Sequence, residues 1–270
     1  MVLRGTQSPM STITTEQVKQ LRDATSVSVM QCRKALEEAD GDMDKAMIIL
    51  RKKGSEIAEK KSDRTASDGI IVVKHDGKRA VVLTLNCETD FVAKNEDFVA
   101  LGNKLVEIAW DSGEAAMREQ APALINDVVL KIGENIQVGS MEEVSGDVVG
   151  VYTHHTGKTV TIVVLEGGTT EVAKDIAMHG AAMKPRYVHG SEISDADRAG
   201  VIDVLRAEVE ATDKPAEMKA KIMEGKIASY FKEQTLVDQP FFKMPEKTIG
   251  TYAQENGATV AKFLLYTISA

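Results

Sequence analysis

The sequence predicts an α+β fold: a small three-helix domain, then two related α+β lobes, the second carrying a protruding antiparallel helical hairpin. Three observations carry this. Apolar residues recur at helical spacing up to Leu50 and then alternate at strand spacing from Ile70. A hairpin followed by a helix occurs twice, around Asp76-Gly77-Lys78 and around Thr156-Gly157-Lys158. Late in the chain, a long helical run is broken at Asp213-Lys214-Pro215 and then resumes.

Thr14-Thr15-Glu16-Gln17 reads as a capping box ahead of Val18 and Leu21. Ser28 to Gln31 is a second box, opening a helix with Val29, Cys32, Ala35 and Leu36 on one face. Gly41 suits a left-handed residue, and Asp42 caps a third helix through Met43, Ala46, Met47 and Leu50, which Gly54 is expected to stop. Residues 55–67 are polar without an apolar period, a solvated linker with some helix.

Ile70 to Val73 and Ala80 to Leu85 then flank Asp76-Gly77 as a tight hairpin. Asn95 caps a helix carrying Phe98, Leu101, Leu105 and Ile108 that fades at Asp111-Ser112-Gly113. Pro122 opens another, closed by Gly133. The second round has strands at Val148 to Tyr152 and Val160 to Leu165, then a helix from Thr170 to Met183 ended by Lys184-Pro185. After Ser194 come the two arms of the helical hairpin, with a narrow apolar seam and charged flanks. A short helix over 247–254 and a strand over 258–268 complete the lobe. The expected organisation is therefore 1–12 as a flexible extension, 13–54 as the helical domain, 55–67 as linker, 68–146 as one lobe, and 147–270 as the other with its hairpin at 195–232.

With 270 residues, 43% apolar and 27% charged, the chain reads as soluble and globular. Its 33 basic against 41 acidic residues argue against a phosphate-tracking surface, so a protein partner is expected and no direct nucleic-acid partner. Cys32 and Cys87 cannot build a disulfide framework and fit a reducing compartment. No apolar run reaches membrane-spanning length, and residues 1–9 are too polar for a signal peptide. Those residues read as a flexible extension, a cloning remnant, or the product of a start codon ahead of Met10. The expected location is the cytoplasm, with no membrane partner.

Catalytic constellations are not evident. His154-His155-Thr156-Gly157-Lys158-Thr159 imitates the end of a phosphate-binding loop, but position 152, where the first glycine belongs, is Tyr152, and the string leads into a strand, not a helix. No histidine pair has zinc spacing with an intervening Glu, so no metal site and no cofactor are expected. The segment that stands out is Asn86-Cys87-Glu88-Thr89-Asp90-Phe91-Val92-Ala93-Lys94-Asn95. From its residues alone it is either a strand end and loop with Phe91 in the core and Asp90 capping a turn, or an acidic–aromatic wedge at the tip of a rigid hairpin, built to enter a partner.

These residues resemble bacterial translation elongation factor Ts. The likeness also takes in Val18-Lys19-Gln20-Leu21-Arg22, Met30 to Leu36, Lys131-Ile132-Gly133-Glu134-Asn135-Ile136, Ile176-Ala177-Met178-His179, Lys184-Pro185 and Gln239-Pro240-Phe241, in order along the chain. The resemblance implies a ubiquitin-associated-like N-terminal domain and a nucleotide exchange factor, not an enzyme of covalent chemistry. Its implied partner is the GTPase elongation factor Tu, in GDP-bound and nucleotide-free forms, with homodimerisation also open. It implies that Thr89, Asp90, Phe91 and Val92 enter the GTPase and disturb its magnesium site. It further implies contacts from the loop of Val27, Val29 and Met30, from Arg22 on the preceding helix, and from His154 toward another GTPase domain. Many relatives have Gly-Ala-Gly where this sequence has Ser26-Val27-Ser28, and longer ones add a C-terminal helical module beyond the position of Ala270. The competing reading is a non-catalytic adaptor or scaffold of the same fold.

Overall fold

The computed structural model describes residues 13–268, so the expected extension over 1–12 lies outside the described residues, as do 269–270. By internal contacts the chain divides into two compact units. One draws on residues 13–72 and on Leu83–Met141, the other on Val73–Val82 and Glu142–Ile268. Helix and strand are mixed in an α+β fold.

The first unit opens with α1 (Thr15–Thr25), α2 (Val29–Glu38) and α3 (Met43–Lys61). The capping box of α1 is complete: Gln17 N–H donates to the Thr14 hydroxyl while the Gln17 side chain accepts from Thr14 N–H. The Ser28 hydroxyl and the Asp42 carboxylate accept from Gln31 N–H and Lys45 N–H to start the next two helices. Val18, Leu21, Val27, Cys32, Leu36, Ala46 and Leu50 close over one another and over Leu130. Gly54 does not end α3, contrary to expectation. A Cβ there would lie 2.6 Å from the Asn126 carbonyl oxygen, so the glycine marks the place where two helices touch backbone to backbone, and α3 runs on to Lys61.

After it come β1 (Asp68–His75), β2 (Arg79–Cys87), a single turn α4 (Asp90–Ala93), α5 (Glu96–Ile132) and β3 (Gln137–Ser145), the strands ordered β1-β2-β3. The Asp76 carboxylate accepts from Lys78 N–H and Arg79 N–H, both at 2.8 Å, which holds it below the usual carboxylate range and fixes the turn. The expected break at Gly113 is a kink, φ 84° and ψ 171°, after which the helix resumes at once. Pro122 thus lies inside α5 and does not open a new helix. β3 was not foreseen: its residues are mostly half-buried or exposed and show no alternation.

The second unit pairs β4 (Val148–Thr153), β5 (Thr159–Gly167) and β8 (Ala258–Thr267) as an antiparallel sheet, with Val149 opposite Val164 and Ile162 opposite Leu264. α6 (Thr170–Met183) lies on it so closely that a Cβ on Gly150 would meet the Ala173 carbonyl carbon at 2.4 Å. The core joins Val163, Leu165 and Ile176 to Leu236, Phe241 and Tyr252. α7 (Asp195–Glu210) and α8 (Ala216–Gln234) form the expected helical hairpin, and each buries a single residue, Val209 and Phe231. β6 (Pro240–Phe241), β7 (Met244–Thr248) and α9 (Ile249–Glu255) bring the chain back to β8.

The internal repeat extends well past the hairpin turns. His75, Gly77, Lys78, Leu85, Thr89, Val92, Ala93 and Lys94 each recur 80 positions later, as His155, Gly157, Lys158, Leu165, Thr169, Val172, Ala173 and Lys174. The geometry recurs as well. Thr89 and Thr169 share φ of −132°, with ψ of 155° and 160°, and each hydroxyl caps the helix that follows by accepting from Val92 N–H or Val172 N–H.

Candidate partner-binding site

Thr89 to Val92 follow β2 at the end away from the Asp76-Gly77 turn, so the segment sits where the strand gives way to helix and not at the hairpin tip. Its side chains divide cleanly. Val92 and Ala93 are buried, whereas Phe91 is 82% exposed, which removes the reading that folds Phe91 into the core. Asp90 does not cap: Thr89 does, and the Asp90 carboxylate receives Lys94 Nζ at 2.8 Å one turn on, an ion pair that raises the lysine's pKa.

The base of the turn is tied to the loop after α5. Glu134 Oε2 accepts from Glu88 N–H and Thr89 N–H at 3.0 and 3.1 Å, and its Oε1 accepts from the Thr89 hydroxyl at 2.7 Å. In return, Asn135 N–H donates to Glu88 Oε1 at 2.7 Å, which is the chief reason Glu88 ionises below its ordinary value. Arg64 approaches the other Glu88 oxygen at 3.4 Å, and the buried Asn135 amide donates to the carbonyls of Ser62 and Arg64. The Lys61 ammonium donates to the Gly133 carbonyl. A large apolar ring therefore stands in solvent on a single helical turn whose backbone is held from behind.

The N-terminal candidates fall on different sides of their fold. Val27 belongs to the three-helix core at 2% exposure, while Val29 and Met30 are 49% and 65% exposed at the start of α2. Arg22 is exposed in the last turn of α1. In the second unit, half-buried His154 lies beside the β4–β5 turn, its Nδ1 3.1 Å from the Thr156 hydroxyl and its ring 4.1 Å from that of His155. Among the described residues, no group of three His, Cys, Asp or Glu side chains is placed to hold a metal, and no helix is long and apolar enough to cross a membrane. Glu88 and Glu134 are site residues that the sequence did not single out for a role. No local pattern joins them, because the bond between them closes over α5.

The sequence model of the family described as Elongation factor TS matches residues 88–270, more than half of the chain, starting at the acid of this clasp. This chain belongs to the elongation factor Ts family. Elongation factor Ts of Cellvibrio japonicus (strain Ueda107) is 40% identical over 261 residues, covering 94% of this chain and 90% of that one. The same factor from Hahella chejuensis (strain KCTC 2396) is 38% identical over 269 residues, covering 96% and 93%. The likeness to these Ts factors thus takes in the three-helix unit as well, ahead of the stretch that the family model matches. The chain is accordingly a translation elongation factor of the Ts type.

Proposed function

We propose that this chain is the guanine nucleotide exchange factor for elongation factor Tu in the cytoplasm. It binds the GDP-bound and nucleotide-free GTPase and speeds GDP release by inserting Thr89, Asp90, Phe91 and Val92 near the magnesium site. The observation that carries the reading is Phe91, a large apolar side chain held in water on a clamped turn. The second copy of the same turn, equally capped by Thr169, carries the exposed Glu171 at the matching place, so the fold itself does not call for an aromatic there.

The function needs binding energy and no covalent chemistry. Magnesium and a helix N-terminus hold the phosphates of a bound nucleotide, so a small displacement of that helix loosens both. Coupling is reciprocal: whatever affinity the GTPase loses for GDP, the factor gains for the nucleotide-free form. Burying a Phe is worth about 1.5–3 kcal/mol, or roughly one to two decades in affinity. Exposed Val29 and Met30, with Arg22 near them in sequence, supply a second contact, and His154 a third with another domain of the GTPase.

The test is release of a fluorescent GDP from elongation factor Tu, with this chain and with Phe91→Ala. The expected result is acceleration by the parent and a loss of at least about tenfold in a folded Phe91→Ala. Binding without acceleration would identify an adaptor, and acceleration untouched by the substitution would move the mechanism away from Phe91.

A further inference from the structure

One turn of helix is not self-supporting, because nucleation fixes several residues for very few hydrogen bonds. α4 has four residues, and what holds its start is a carboxylate from elsewhere in the fold. The Thr89 hydroxyl gives its one hydrogen to Glu134 and keeps its lone pairs for Val92 N–H, so Glu134 sets the rotamer of the cap as well as the path of the backbone through Glu88 and Thr89. The repeat supplies an internal comparison. Thr169 caps α6 with the same backbone angles, yet Gly167 and Gly168 stand in place of Cys87 and Glu88, and Thr169 donates to no carboxylate among the described residues. A carboxylate does approach that copy, Asp147 Oδ2 accepting from Gly167 N–H at 3.3 Å, but it does not reach the cap, so among the described residues the grip on the threonine hydroxyl is found on the copy that displays Phe91.

We infer that Glu134 is a positioning residue for nucleotide exchange, acting through Thr89 to hold Phe91 in a single orientation before the GTPase arrives. This rests on the exchange reading above. Ordering the turn in advance removes that entropy cost from the encounter and points the ring consistently, the effect by which preorganised groups gain over floppy ones. Asn135 and Glu88 close the same clasp from the other side and so serve the same end.

The experiment is a double-mutant cycle on GDP release from elongation factor Tu at saturating factor, with the parent, Glu134→Ala, Phe91→Ala and the double variant. Urea midpoints and amide exchange of the free proteins are measured alongside. Losing hydrogen bonds to a charged group predicts a fall of about tenfold in the maximal rate for Glu134→Ala, and amides of Thr89 and Val92 that exchange at least about tenfold faster. In the Phe91→Ala background the same substitution is expected to change the rate by less than about twofold, since its effect runs through the ring. An equal loss in both backgrounds would make Glu134 a general structural residue and overturn the inference. So would unchanged exchange at Thr89 and Val92. If Phe91→Ala is slow but Glu134→Ala is not, the clasp alone falls. If Phe91→Ala matches the parent, the wedge falls and the clasp goes with it. Should Glu134→Ala not fold, Glu134→Gln takes its place: it keeps one oxygen for the two amides but meets the Thr89 hydroxyl with a donor, and its rate is expected between the parent's and that of Phe91→Ala.

Discussion

His179 lies fully buried on α6 with both ring nitrogens engaged. Nε2 is 2.9 Å from Gln239 Oε1, and Nδ1 accepts from Phe242 N–H at 3.4 Å, which assigns the proton to Nε2. Burial pushes its pKa below the ordinary 6.5, with the Gln239 bond working weakly the other way. Asp175, four residues earlier on the same helix, pairs with Lys243 at 2.7 Å, and Tyr252 also donates to Asp175. A second proton would put N–H against N–H at Phe242. Because the folded pKa is the lower one, the unfolded chain protonates first as pH falls. The neutral ring's contribution is therefore whole above about 6.5 and is lost below it, at no more than roughly 1.4 kcal/mol per pH unit. Between about pH 7.5 and 5.5 the urea midpoint of the parent should drop more than that of His179→Gln. The depressed Glu88 acts only at lower pH, below its ordinary value of about 4.3, so it does not blur this window. Parallel slopes in the two proteins would show that His179 titrates as it does in water. At this scale the sequence was most legible for groups that bond nearby: Thr14, Ser28, Asp42 and Asn95 all cap where their neighbours said they would. Phe91 was legible as a choice between core and wedge, and only the fold decides for exposure.

Among elements, the contact of α3 with α5 is the one that local patterns misread. A glycine after an apolar stripe looks like a stop, and nothing near Gly54 in sequence announces Asn126. Gly54→Ala sets two effects against each other. Removing a mid-helix glycine is worth about 0.5–1 kcal/mol, whereas forcing a methyl against a backbone carbonyl costs about 1–3 kcal/mol. The second is larger, so the variant is expected to be destabilised by about 1 kcal/mol in urea unfolding. A gain in stability would mean that the helices stand further apart than described. β3 escaped prediction for a related reason: a strand with neither face fully buried has no alternation to read. The tie from Glu134 to Thr89 was equally hidden, since both residues look like ordinary loop polars until α5 has been laid between them.

Across the whole molecule, burial is unevenly spread. α6 buries seven residues and packs on a sheet, while α7 buries only Val209 and leaves Val204 63% exposed. Ion pairs such as Lys226–Glu208 at 2.6 Å and Lys219–Glu210 at 3.2 Å lace the helical hairpin, but exposed pairs of this kind contribute little, about 0–1 kcal/mol each. The amides of α7 are therefore expected to exchange by local opening at least about tenfold faster than those of α6. Equal protection, read by hydrogen–deuterium exchange, would show that the hairpin opens only with the rest.

The clasp also sets an order in time. Glu134 lies 45 positions after the Thr89 that it holds. A chain still being synthesised, or one cut short before that glutamate, spells out Thr89-Asp90-Phe91-Val92 in full and yet lacks the carboxylate that sets the turn. On the proposed reading, the wedge is therefore set only after about half of the 270 residues have been made and the emerging chain has cleared the ribosome beyond α5, and an abandoned fragment carries the letters of the motif without its shape.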